Sequence, residues 1–159
     1  MKNQKGTTLI EVLIAMLIVA TGVLGHAKMQ IRSMNVAQQA NFSQIANTAL
    51  LDLSQRMRAN SGVVTSFTMN NLASGNSISS SKDCASESCT NSEFATYEVS
   101  EWFAHLKINL PSPRFSVGKS GDLYTLTLIW DAAKTGAGSG VCNTSTANSH
   151  QCVSMEVWV

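Results

Sequence analysis

Apolar positions are distributed very unevenly along this chain. After a short polar opening, MKNQKG, residues 7–25 read TTLIEVLIAMLIVATGVLG, with Glu11 as the only ionisable side chain. A bilayer core about 30 Å thick takes roughly 20 apolar residues as helix, so this stretch suffices for one crossing. Lys2 and Lys5 precede it and no lysine or arginine lies within it, which predicts that the leader stays on the cytoplasmic side. From His26 to Ser61 there is no proline or glycine, and Phe42, Ile45, Ala46, Ala49, Leu50, Leu53 and Met57 recur at steps of three and four. That is one face of an amphipathic helix. Gln38, Gln39, Gln44, Asp52 and Gln55 largely occupy its other faces, and Gly62 is a stop signal. A single helix from about Thr7 to Arg58 is expected, on the order of 78 Å long at 1.5 Å per residue. Its second half needs a globular partner to cover the stripe.

The pattern changes after the helix. Residues 61–92 are dominated by Ser, Asn, Thr and Gly and read as a long loop with little regular structure. Thr90 and Glu93 fit a capping box, which predicts a helix from about Ser92 to Asn109. Phe94, Tyr97, Trp102 and Leu106 would form its apolar side, with Phe103 as a further candidate, and Pro111 and Pro113 would end it. A short strand over 114–117 and a turn over 118–121 are expected next. Residues 122–130, DLYTLTLIW, alternate with Tyr124, Leu126, Leu128 and Trp130 on one face. Residues 131–151 form another Gly/Ser/Thr/Asn-rich loop, and 152–159 make a last strand with Val153, Met155, Val157 and Val159 on one face. Aromatic and β-branched residues at period two suit antiparallel pairing. The expected fold is α+β: a long N-terminal helix, its first half transmembrane, with a small antiparallel sheet packed on the helix.

Composition narrows the function classes. The 159 residues suit one domain, and 13% charged residues with a net charge of +1 leave no clustered cations for nucleic acid. Cys84, Cys89, Cys142 and Cys152 in Ser/Asn-rich surroundings point to an oxidising compartment. Of the three possible pairings, Cys84–Cys89 with Cys142–Cys152 is expected, because each bond staples a local loop. Such a loop is worth about 2–4 kcal/mol. The spacings do not match zinc knuckles, and His26, His105 and His150 read as surface or partly buried side chains. No metal site or cofactor is expected. No nucleophile motif frames the Ser, His and Asp residues, and the GAGSG run at 136–140 lacks the Lys and the strand–helix setting of a phosphate loop. It reads as a flexible loop.

Glu11 separates three readings of the N-terminus. A carboxylate in hydrocarbon costs about 2.5–3.5 kcal/mol on insertion scales, and neither an ordinary secretory signal nor a plain anchor needs one. KG-TTLIEVLIAMLIVATGVLG resembles the prepilin signal of the type IV pilin class, in which cleavage follows a Gly and Glu stands fifth in the mature chain. Cleavage between Gly6 and Thr7 would put Glu11 fifth. The resemblance implies that Glu11 neutralises the freed α-amine of Thr7 in a neighbouring subunit and so sets register. It also implies cleavage, and N-methylation of Thr7, by prepilin peptidase. The family usually starts its mature chain with Phe, and this sequence has Thr7.

The run LLDLSQRMRAN at 50–60, the cysteine pair ahead of a Trp-containing helix, and the strand ending near Trp130 resemble the PilV family of minor pilins. Arg56 and Arg58 fit that run, either as partner contacts or as solvated cations near a helix C-terminus.

The resemblance implies a leader over 1–6, a transmembrane and assembly half over 7–29, and a periplasmic pilin-like domain over 30–159. The precursor would be a single-pass inner-membrane protein with its N-terminus cytoplasmic, and the mature subunit would reside in the pilus. Other minor pilins, the major pilin and prepilin peptidase are the implied partners, and assembly in place of catalysis is the implied action. Two other readings stay open: a pseudopilin of a type II secretion system, and a membrane-anchored periplasmic binding protein or enzyme. An ordinary signal would be cut at Gly25-His26-Ala27. N-terminal sequencing of the mature protein is expected to begin at Thr7; a start at Lys28 would mean a released secretory protein instead.

Overall fold

The structure, a computed structural model, describes residues 8–72, 78–142 and 150–159. Helix α1 spans Leu9–Ala59, followed by a 3₁₀ helix at Ser61–Phe67 and the two-residue strand β1, Met69–Asn70. Helix α2 is Asn91–Asn109, and strands β2, β3 and β4 are Arg114–Ser120, Leu123–Trp130 and Gln151–Trp158. The sheet has the order β1-β2-β3-β4 with every pair antiparallel. A long N-terminal helix, a small antiparallel sheet and two disulfides make up the expected α+β fold.

The chain divides into two compact units, one ending at Ala40 and the other running Asn41–Val159. In the first, every described residue of α1 is exposed, among them Leu13, Leu17, Val23, Met29 and Val36. In the second, the predicted stripe is the buried one. Phe42, Ala46, Leu50, Leu53 and Met57 enter the core, with Ile45 and Ala49 partly buried against it. Asn60 closes α1 by donating its side-chain amide to the Arg56 carbonyl at 2.9 Å.

The sheet supplies the other wall. Phe115 and Val117 of β2, Tyr124, Leu126, Leu128 and Trp130 of β3, and Val157 of β4 are all buried. Their alternation with half-exposed Thr125 and Thr127 is the period of a sheet covered on one face. Trp102 of α2 links the layers. Its ring meets Phe115 edge-on at 4.9 Å, and its Nε1–H donates to the Ala49 carbonyl of α1 at 2.9 Å. A buried indole N–H needs such a partner, and here the partner fixes α2 along α1.

Four expectations are corrected. Residues 61–92 are not structureless: Val63, Val64 and Phe67 turn toward the core, with Val64 and Phe67 at the three-residue repeat of a 3₁₀ helix. Buried Asn71 then extends the β1–β2 ladder, its amide donating to the Phe115 carbonyl at 3.0 Å and its Oδ1 accepting from the Phe115 amide at 2.7 Å. Strand β2 runs on through Gly118 to Ser120, and the hairpin turn is Gly121-Asp122. Gly121 has φ of 62°, as the first position of a type II′ turn demands. On α2 the buried set is Ala95, Val99, Ser100, Trp102, Phe103 and Leu106. Phe94 is 40% exposed, because it sits one position round the helix from Ala95. Finally, the start of the 131–140 loop is pinned. Buried Asp131 accepts from Thr135 Oγ1 at 2.9 Å and from the Gly136 amide at 2.8 Å. A Cβ on Gly138 would lie 2.2 Å from Arg114 Nε, so the guanidinium packs directly on the glycine backbone and would have to shift for any larger residue.

Disulfides join Cys84 to Cys89 and Cys142 to Cys152, each with Cα atoms 5.6 Å apart. The first closes just ahead of the α2 cap. Thr90 Oγ1 accepts from the Glu93 amide at 3.3 Å, and Glu93 Oε2 accepts from the Thr90 amide at 2.8 Å. Lys82 Nζ lies 3.0 Å from the same carboxylate. The Thr90 backbone bond, helped by Lys82, holds the Glu93 carboxyl down at about 2.

Two outcomes follow. Glu93 protonates in the unfolded chain near its ordinary value of 4.5 and in the folded chain only near 2, so the cap's contribution is complete above pH 4.5 and lost between the two values. The gap in melting temperature between wild type and Glu93→Gln should therefore close as pH falls through that window and stay constant above it. Leu50 is fully buried, and Leu50→Ala should cost about 2–5 kcal/mol in denaturant unfolding of the solubilised chain. Leu51→Ala, at a half-exposed position, should change stability by less than about 0.5 kcal/mol.

Candidate assembly site on the N-terminal helix

The first turn of α1 carries the one acidic residue of the apolar stretch. Glu11 Oε2 accepts a hydrogen bond from the Thr8 amide at 3.0 Å. That amide is one of the orphan donors at a helix start, and the positive end of the helix favours a carboxylate there. Beside Glu11, a shallow groove of about 610 Å³ runs along Val12, Ala15, Met16, Val19 and Ala20. The two alanines leave room for close approach of another helix. Among the described residues no cation pairs with Glu11. Gly6 and Thr7 lie outside the described residues.

The helix bearing this carboxylate is long and apolar enough to cross a membrane, with a mean hydropathy of 2.1 over its best window and none of that window buried in the chain itself. An uncovered apolar surface of this length is incompatible with water and demands lipid or protein. The arrangement can therefore pack laterally through its apolar faces and present one anion near its N-terminal end.

Of the other residues that the sequence singles out, His26 lies in the first unit and the rest lie in the second. Arg56 pairs with Asp52 at 3.1 Å and with Glu98 of α2 at 3.6 Å, and Asn60 reaches Glu98 at 3.1 Å. Arg56 thus ties the end of α1 to α2, while Arg58 is exposed. His26 and His105 are exposed, and His150 Nε2 lies 2.6 Å from the Ala137 carbonyl. All four cysteines are used in disulfides, and among the described residues no group of His, Cys, Asp and Glu gathers as for a metal. A groove of about 490 Å³ between α1 and α2 has Ile45, Ala49, Trp102 and Leu106 on its apolar side and Gln44, Asp52 and His105 on its polar side. Sequence reasoning missed the packing roles of Asn71, Asp131 and Gly138. Only the Asp-x-x-x-Thr-Gly spacing after Trp130 hinted at one of them, as a side chain that folds its own loop.

Residues 1–25 match the family model of the prokaryotic N-terminal methylation motif. Residues 28–100 match the model of the Tt1218-like family, type IV pilin Tt1218. The two matched segments are those of a type IV pilin with an N-terminal methylation motif. No curated protein and no solved structure matches the chain. The pilin matches meet the structure where it matters: the first covers the bare apolar helix and Glu11, and the second covers the amphipathic half of α1, the 3₁₀ turn, the Cys84–Cys89 loop and the start of α2. These matches, together with the apolar helix, support membrane anchoring and a structural role in a pilus.

Proposed function

We propose that this pilin is a PilV-like minor pilin, acting in initiation and assembly of the type IV pilus fibre. Prepilin peptidase cuts between Gly6 and Thr7 and methylates the Thr7 amine. The mature subunit leaves the membrane by exchanging lipid for the helices of neighbouring pilins. Twitching motility and adhesion follow from the fibre.

The observation that carries this reading is Glu11 on an apolar helix that none of the described residues covers. A carboxylate there is held by the Thr8 amide in the isolated subunit. Packing among helices removes it from water, at a cost of several kcal/mol, and only a cation of a neighbour offsets that cost. The methylated amine of Thr7 on the adjacent subunit is that cation. Because burial cancels much of the attraction, the pair sets the axial register of the subunits more than it adds affinity. The RMRAN run supports the PilV assignment, and Arg56 within it anchors α2 to α1.

The test is incorporation into sheared fibres, together with co-purification with other minor pilins. Wild type is expected in both fractions. Glu11→Ala should stay in the inner membrane with its leader removed, and its fibre fraction should fall by roughly tenfold or more, a loss on the scale of one unpaired buried charge. Co-purification with secretion pseudopilins in place of pilus minor pilins would contradict the proposal.

A further inference from the structure

Helix α2 carries a second seam on the side turned away from the core. Phe94, Tyr97, Glu101, Ala104 and Ile108 follow one another at steps of three, four, three and four, the spacing of a coiled-coil contact. The core takes a different set from the same helix, Ala95, Val99, Trp102 and Leu106. Ile108 is 80% exposed, Phe94, Glu101 and Ala104 are also exposed, and Tyr97 is half-buried. Among the described residues, no cation pairs with Glu101, whereas Glu93 and Glu98 on the same helix are held by Lys82 and Arg56.

A complementary seam lies on α1. Met29, Arg32, Val36 and Ala40 recur at steps of three, four and four. They border a shallow groove of about 430 Å³ together with Ser33 and Ala37. Met29 and Val36 are well exposed, and among the described residues Arg32 has no ion-pair partner. Each seam thus places one charge between apolar side chains, and the two charges are opposite. Single charges at seam positions fix partner and register.

We propose that the outer face of α2 in one subunit docks on the Met29–Ala40 segment of α1 in a second copy of this chain, with Glu101 meeting Arg32. The two seams belong to different parts of one chain, so the contact is head-to-tail. A contact of that kind leaves a free seam at each end and extends into an open filament unless its rotation closes a ring. Five seam positions fall short of the roughly 20–30 residues a side of a stable soluble complex. The contact therefore acts between copies already held side by side, and in this it rests on the assembly reading.

The experiment places a photo-cross-linking amino acid at Ala104 in the full-length chain in membranes. A covalent dimer of this chain is expected, with the adduct mapping to residues 28–40. Arg32→Glu and Glu101→Arg should each lower the dimer yield by roughly three- to tenfold, since each replaces an attraction with a like-charge repulsion of similar size. The combined Arg32→Glu/Glu101→Arg variant should restore it. Both side chains are exposed in the structure, so all three variants should melt as wild type does. Adducts to another protein alone, adducts mapping elsewhere, or failure of the double variant to recover would overturn the seam. Absence of the dimer in the wild-type chain with fibre incorporation intact overturns the seam and leaves the assembly reading standing. A charge-dependent dimer that never enters fibres does the reverse.

Discussion

A carboxylate in the middle of an apolar surface has few stable partners, and the organisation of this chain follows from that constraint. Glu11 is satisfied in the single subunit by the Thr8 amide of its own helix start. That bond uses one lone pair of one oxygen, and among the described residues no counter-ion meets the charge. The surrounding side chains, from Val12 to Val36, are exposed and largely apolar, so the helix has no stable state in water. Lipid and a bundle of similar helices are its two alternatives, and the proposed pairing with a neighbour's amine would make the second competitive with the first.

The second unit keeps the same helix folded where it leaves the apolar stretch. From Phe42 to Met57 its stripe is buried against α2 and the sheet. Trp102 is the joint: one side chain touches β2 by its ring and α1 by its N–H. Arg56 and Glu98 add a second tie between the two helices. Within this unit the helix owes most of its stability to such packing.

Much of this was legible in the chain because the physical signals were periodic. The three- and four-residue recurrence gave the buried face of α1 correctly, and the alternation in YTLTLIW gave the inward face of β3. The capping box located α2, yet its buried face was partly misassigned. Phe94 and Tyr97 are larger than Ala95, but helical phase decides burial and side-chain size does not. The 3₁₀ turn and β1 were hidden because a polar composition says nothing about Asn71 acting as a strand residue through its side chain. Gly138 was hidden for a related reason, since its neighbour Arg114 is distant in sequence, whereas the local partners of Asp131 left a faint trace in the Asp-x-x-x-Thr-Gly spacing. At the assembly site, the position of Glu11 was legible as an anomaly in hydropathy, whereas its bond to Thr8 required coordinates. The paired residues Gly6 and Thr7 lie outside the described region, and their roles remain part of the proposal.

The central claim concerns what meets Glu11 once the helices pack together. A high-resolution structure of the assembled fibre measures this directly. The expected result is a Glu11 carboxylate within about 3 Å of the methylated Thr7 amine of an adjacent subunit, the distance of a charge-assisted hydrogen bond. A carboxylate still bonded only within its own helix, with the neighbouring amine elsewhere, would contradict it.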